Sequence, residues 1–351
     1  MTAEPRPGLR EVAPYVSPQL DVPARLNTNE CPLPLPSGFA EDLGVAVRGL
    51  ELNRYPDGQM RTIRGAIAEV TGHPIEGVWV AGGSNEILTQ LLTAYGGPGR
   101  TSLTFEPTYV LHTRLSWLTH TAHAALRLPE DFLLTVDQVE EAVAAEPDVV
   151  FVCSPNNPTG NAQPVATVRA LAEAVPHALV VVDEAYIEFG GESALPLVAT
   201  DPNVAVVRTF SKAFAMAGAR VGYVLADPIV VEDLQRVRLP YHLSALAQAA
   251  GRVALDHRDD AIAAIAAIRS ERDRIAAALA AMPGVTAYAS DANFVLFVPP
   301  GDAVAVWQSL LDGGVLVRDL TAVVPNALRV TAGTPAEDDL FLTRLEEVLA
   351  A

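Results

Sequence analysis

Three apolar runs stand out in the middle of the chain: Asp148 to Cys153 (DVVFVC), Ala178 to Val182 (ALVVV) and Val204 to Val207. β-Branched runs without polar alternation predict strands covered on both faces. Between the first two, Val165 to Val175 carries a helical pattern. Strands alternating with helices predict an α/β fold with a mainly parallel sheet. In such sheets ligands sit beyond the carboxyl ends of the strands. The three runs end at Ser154-Pro155-Asn156-Asn157, at Asp183-Glu184-Ala185-Tyr186 and at Thr209-Phe210-Ser211-Lys212. Each therefore delivers polar groups to one rim.

The flanks extend this pattern. Asp57 to Thr71 reads as a helix, with Ile63, Ile67 and Val70 on one face. Val78 to Val80 is a short strand ending at Gly82-Gly83-Ser84-Asn85-Glu86, followed by a helix from Ile87 to Tyr95. Ser102 to Phe105 is a further strand. After Pro240 the chain turns helical and alanine-rich. Asp259 to Met282 reads as one long helix, capped by Asp259 and stopped at Pro283-Gly284. Strand-like pieces follow at Asn293–Val298, Gly314–Arg318 and Leu328–Thr331, then a helix from Pro335 to about Leu349. The first 30 residues hold five prolines and read as an extended arm. The predicted organisation is an arm over 1–30, a large domain over 31–245 and a smaller α+β domain over 246–351.

Composition removes several function classes. Of 351 residues 50 % are apolar and 19 % charged, which supplies a large core and excludes wholesale disorder. The net charge of −18 repels phosphate backbones and argues against nucleic acid. No apolar run approaches the roughly 20 residues of a membrane span, and the first residues lack the apolar stretch of a signal peptide. The two cysteines, Cys31 and Cys153, form no CxxC pair. A disulfide scaffold and a cysteine zinc site are excluded, and a cytoplasmic location is expected. No metal is expected: His112, His120 and His123 match no metal spacing and read as packing or surface residues. No GxGxxG follows the first strand, so a dinucleotide site is not predicted.

The basic residues carry a sharper signal. There are 23 arginines and one lysine, Lys212. Arginine stays protonated and forms no Schiff base; lysine does, once its amine is neutral. The other rim residues suit one ligand, pyridoxal 5'-phosphate. Its aldehyde needs a lysine, its pyridine nitrogen an acid such as Asp183, its ring oxygen donors such as Asn157 and Tyr186, and its phosphate a helix N-terminus with an arginine. Gly83-Ser84-Asn85, Ser211 and Arg220 supply the last of these. Singly, each has an ordinary reading: Asp183 as a cap, Arg220 as a surface ion-pair residue, Asn157 as a turn former.

Three blocks, SPNNPTG (Ser154 to Gly160), DEAYIEF (Asp183 to Phe189) and TFSKAFAMAGARVGY (Thr209 to Tyr223), resemble the signatures of fold-type I pyridoxal-phosphate aminotransferases. Further blocks point to the histidinol-phosphate aminotransferase family, among them LNTNE (Leu26 to Glu30), RYPD (Arg54 to Asp57), RLPYHLS (Arg238 to Ser244) and LRVTAGT (Leu328 to Thr334). One departure is Cys31, where relatives commonly carry another residue.

The resemblance implies roles. Lys212 binds the cofactor covalently and moves the substrate proton. Asp183 holds the pyridine nitrogen; Asn157 and Tyr186 hydrogen-bond the ring oxygen; Tyr109 stacks on the ring. Ser84, Asn85, Thr209, Ser211 and Arg220 hold the phosphate. Tyr55 reaches the phosphate of a neighbouring subunit, which implies a homodimer. Arg329 binds the anionic end of the substrate, and Tyr15, Asn29 and Arg318 make further substrate contacts. The implied reaction exchanges an amino group between L-histidinol phosphate and a 2-oxo acid, 2-oxoglutarate, in histidine biosynthesis. An aromatic amino acid aminotransferase is the alternative, and a decarboxylase on the same scaffold a third reading.

Overall fold

The computed structural model describes residues 3–14 and 16–350. Its centre is a seven-stranded sheet in the order Val78–Ala81, Gly222–Leu225, Val204–Thr209, Leu179–Asp183, Val149–Cys153, Thr101–Glu106, Ala122–Arg127. All pairings are parallel except those of Gly222–Leu225, which runs against both neighbours. The three apolar runs form its middle. They are buried along almost their whole length, as strands covered on both faces must be. Register places Cys153 beside Asp183 and Asp183 beside Val207. The first two strands therefore end level and the third runs two residues further, and the polar residues that follow them gather at one rim.

The helix Ser84–Tyr95 packs against the Gly222–Leu225 and Val204–Thr209 strands. Gly222 is required there: a Cβ would stand 2.3 Å from the Ser84 backbone nitrogen and 2.6 Å from the Gly83 carbonyl carbon. This close approach brings the helix N-terminus to the rim.

Buried side chains fall into two main clusters. One runs from Phe39 to Leu255 around the large sheet. The other joins Ala24 and Leu26 to residues between Ile265 and Leu345, with Tyr186, Phe189 and Ala213 reaching into it. The second cluster surrounds an antiparallel sheet ordered Arg318–Asp319, Leu328–Thr331, Phe294–Val298, Thr286–Ala287.

Several expectations need correction. The long helix spans Arg258–Ala281 with His257 at its cap; Asp259 lies in its first turn. The stretch 314–318 is two short strands rather than one. Val315–Leu316 pairs with Ala24–Arg25, and Arg318–Asp319 pairs with Leu328–Thr331. The arm is not simply extended. It makes a 3-10 turn at Leu9–Glu11 and lays the Arg6 guanidinium over the Trp117 ring, 4.1 Å from its centroid. Among the described residues no helix is long and apolar enough to cross a membrane.

Candidate active site

The rim opens into a cavity of about 740 Å³ between the two clusters. Lys212 enters it from the turn after Val204–Thr209, and its Nζ donates to the Thr28 carbonyl at 3.0 Å. Burial, reinforced by the Arg329 and Arg220 charges and opposed by Glu30, brings this amine down from 10.5 to about 7. A lysine held there is substantially neutral near neutral pH and so nucleophilic.

Asp183 is 2 % exposed. Its Oδ1 accepts from the Ala185 backbone N–H at 3.2 Å, and its Oδ2 lies 3.2 Å from His112 Nε2. His112 is fully buried and stacked on Phe151, ring centroids 4.6 Å apart at 4°. Its Nδ1 meets no partner, so the ring proton belongs on Nε2, facing the carboxylate. Sequence reasoning missed this residue because it tested the histidines only for metal spacing. The usable signal was Tyr109 and His112 three residues apart, which turns both toward one face of the segment leading into the helix Leu111–Leu118.

At the other end of the cavity, no side chain caps the N-terminus of the helix Ser84–Tyr95. Its preceding residue, Gly83, has φ +95, and a Cβ there would stand 2.5 Å from Arg220 Nη2. The guanidinium therefore lies directly against the helix opening. Arg220 Nη1 also donates to Ser211 Oγ at 3.0 Å, and Thr209 Oγ1 donates to the same oxygen at 3.0 Å. An uncapped helix N-terminus with an arginine and hydroxyls beside it is an anion site. Tyr109 reaches Asn85 Oδ1 at 3.4 Å on its flank.

Tyr186 is buried against Phe294, and burial pushes its hydroxyl up to about 12. Asn157 Oδ1 accepts a short hydrogen bond from Arg329 Nη1. Arg329 also donates to the Asn27 carbonyl at 3.1 Å. Arg318 stands directly opposite Arg329 across an antiparallel strand pair. It contacts Ser17 Oγ of the arm at 3.4 Å. Asn29 lines the cavity but is 1 % exposed, its amide engaged by Tyr186 and Thr331.

Thus the structure brings together Asn29, Ser84, Asn85, Tyr109, Asn157, Asp183, Tyr186, Thr209, Ser211, Lys212, Arg220, Arg318 and Arg329 around one cavity. Tyr15 lies outside the described residues. Tyr55 is 78 % exposed, does not line the cavity, and stacks on Tyr241 with centroids 4.2 Å apart. Five basic side chains line the cavity, Arg114 among them, against two carboxylates, Glu30 and Asp183. In a chain of net charge −18 this local excess selects anionic ligands. Among the described residues no group of three or more His, Cys, Asp or Glu is placed to hold a metal ion.

Comparison with known proteins agrees with this geometry. The model of the family described as "Aminotransferase class I and II" matches residues 24–345. The chain belongs to that family. This aminotransferase is 49 % identical to the histidinol-phosphate aminotransferase of Frankia casuarinae, covering 98 % of this chain and 90 % of that one. It is 50 % identical to the enzyme of the same name from Streptomyces avermitilis, covering 98 % and 96 %. In structure it resembles the histidinol-phosphate aminotransferase of Sinorhizobium meliloti, solved in complex with pyridoxal-5'-phosphate. The TM-score is 0.90, with 25 % identity and 99 % of both chains covered. The aminotransferase is a transaminase of fold type I, as the sequence blocks implied.

Proposed function

We propose that this transaminase uses pyridoxal 5'-phosphate to move an amino group between L-histidinol phosphate and 2-oxoglutarate, yielding imidazole-acetol phosphate and L-glutamate. The residues present fit the cofactor. The uncapped helix N-terminus with Arg220, Ser211 and Thr209 suits its phosphate. The desolvated Lys212 amine suits its aldehyde. Asp183, steadied by His112, suits its pyridine nitrogen. Asn157 and Tyr186 suit its ring oxygen, and Tyr109 its ring face. When bound, the cofactor supplies an electron sink for the pair left behind when the substrate Cα proton departs.

The chain's own residues do the rest. Lys212 Nζ, in the neutral form that makes up about half of it near pH 7, would take the proton from the substrate Cα and pass it on to the cofactor, where the amino group would stay; in the second half it would deliver a proton to the Cα of the new amino acid. Asp183 holds its carboxyl group against His112 and the Ala185 N–H, in a place shielded from water. Arg329, fixed by Asn157 and the Asn27 carbonyl, orients the anionic end of either substrate. The 2-oxo acid then takes the amino group by the reverse sequence, so the two substrates use one site in turn.

The observation that carries the choice of substrate is the Arg318–Arg329 pair. Like charges directly opposite across a strand pair destabilise a sheet. An anion between them removes the conflict, and a phosphate dianion does so better than a carboxylate. The test is a half-reaction followed by absorbance, without oxo acid, for wild type and Arg318→Gln. L-Histidinol phosphate is expected to react much faster than L-phenylalanine with wild type. Arg318→Gln is expected to raise about tenfold or more the histidinol phosphate concentration that gives the half-maximal half-reaction rate, with little change for phenylalanine. Phenylalanine reacting faster, or both substrates suffering equally, would refute the assignment.

Three further readings belong to this proposal. We read the chain as an arm, a large domain and a small domain, with the break between the last two at about 257 in place of the 245 expected from the sequence. The reason is that the helix Ala245–Asp256 contributes its buried face to the first core cluster. A homodimer is supported by the exposed Tyr55–Tyr241 stack, with Leu52 64 % and Leu239 74 % exposed nearby in the chain. Tyr55 then completes the phosphate site of the other subunit. A cytoplasmic location suits two free thiols, Cys31 and Cys153.

A further inference from the structure

Tyr186 has one hydroxyl proton, and the structure shows where that proton cannot go. Asn29 Nδ2 donates to Tyr186 Oη at 3.0 Å. That leaves the hydroxyl as acceptor on this side. The amide is held in this orientation from behind. Thr331 Oγ1 accepts from the Asn29 backbone N–H at 3.0 Å and donates to Asn29 Oδ1 at 3.0 Å. Turning the amide over would leave the Thr331 proton without an acceptor here. The donor sequence thus runs one way, from Thr331 to Asn29 to Tyr186. Asn29 is 1 % exposed, Thr331 3 % and Tyr186 5 %, so no bulk water competes. The backbone is committed as well: Asn29 has φ 54, a region that Asn and Asp enter more readily than other side chains, and Asn293 Nδ2 donates to its carbonyl at 3.3 Å.

We propose that Asn29 is a positioning residue that fixes the direction of the Tyr186 hydroxyl, turning its proton into the cavity toward the cofactor ring oxygen. The inference rests on the pyridoxal-phosphate reading above. It gives Asn29 a task other than direct contact with substrate. It also makes the link between the two core clusters part of the chemistry, because Thr331 belongs to the small sheet and Tyr186 follows a strand of the large one. Burial already raises the Tyr186 hydroxyl to about 12, so it remains a donor rather than a phenolate through the working pH range.

Isosteric and truncating substitutions separate this role from simple packing. An aspartate keeps the shape but accepts where the amide donated, so it draws the Tyr186 proton away from the cavity. A glycine adopts φ 54 without strain and leaves the proton free. In the cofactor-loaded enzyme at pH 8, Asn29→Asp is expected to lower kcat about tenfold. It is also expected to raise the pH midpoint of the cofactor absorbance change by about one unit. Asn29→Gly is expected to show the smaller effect on both. Most of the Asn29→Asp effect is expected to vanish in a Tyr186→Phe background, where no hydroxyl remains to be turned.

The opposite order, with aspartate near wild type and glycine severe, marks a packing role and overturns the proposal. An undiminished effect of Asn29→Asp in Tyr186→Phe does so too. If Asn29→Asp does not fold, Thr331→Val decides. By freeing the amide orientation it is expected to raise the same midpoint, and an unchanged midpoint overturns the proposal. Wild-type protein with no cofactor absorbance at all removes the pyridoxal-phosphate reading itself, and the proposal with it, before any variant is compared.

Discussion

In the protein without cofactor, the Lys212 amine is expected to titrate near 7, not near 10.5. Burial strips water from the ammonium, and the Arg329 charge disfavours it further. A fall from 10.5 to about 7, at about 1.4 kcal/mol per pH unit, corresponds to about 5 kcal/mol in order of magnitude. The sign follows from which state holds the proton more tightly. The unfolded chain binds it more tightly, so the folded state carries the full penalty below pH 7. The penalty shrinks as the pH climbs from 7 and is gone above 10.5. Lys212→Met keeps the volume and removes the charge. Its apoprotein is therefore expected to be more stable than the wild-type apoprotein by several kcal/mol below pH 7, with the gap closing by pH 10.5. Urea denaturation of both proteins across this range measures the gap. Because the chain has a single lysine, the amine can also be read directly. Its rate of trinitrophenylation against pH gives the midpoint, with Lys212→Met reporting the N-terminal amine alone. Arg329→Gln is expected to move that midpoint upward. Equal stabilities at every pH, or a lysine midpoint above about 9, would refute the reasoning.

Two other outcomes test the frame around the site. Arg208 reaches Glu184 at 2.9 Å and Ser193 Oγ at 2.8 Å, and Glu184 is fully buried. Arg208→Met strands that carboxylate and is expected to cost about 3–5 kcal/mol in urea denaturation, with Glu184→Gln added to it restoring part of the loss. If Tyr55 completes the other subunit's site, mixing Tyr55→Ala with Lys212→Ala protein under exchange conditions is expected to recover up to about a quarter of wild-type activity in hybrid dimers. No recovery, with hybrids demonstrated by mass, would count against a shared site.

The parts of this protein legible in the sequence are those set by neighbours along the chain. Three unbroken apolar runs are the pattern of strands buried on both faces, so the strands and the polar groups at their ends followed from local pattern, while register set the height of each end. Lys212 showed itself by composition alone, as the one amine among arginines. The strand Leu328–Thr331 and the start of the helix at Pro335 lie where periodicity placed them. What pattern left open was every role fixed by a partner far along the chain. His112 looked like an ordinary core histidine because its carboxylate, Asp183, is 71 residues away. Asn29 looked like a substrate contact because the groups that occupy its amide, Tyr186 and Thr331, are 157 and 302 residues away. Arg318 and Arg329 became a pair only when two short strands came into register. The reason is physical. Hydrophobic burial acts on runs and periods that a single segment carries. The direction of a proton and the charge state of an amine depend on which groups tertiary folding brings within about 3 Å of one another once water is excluded.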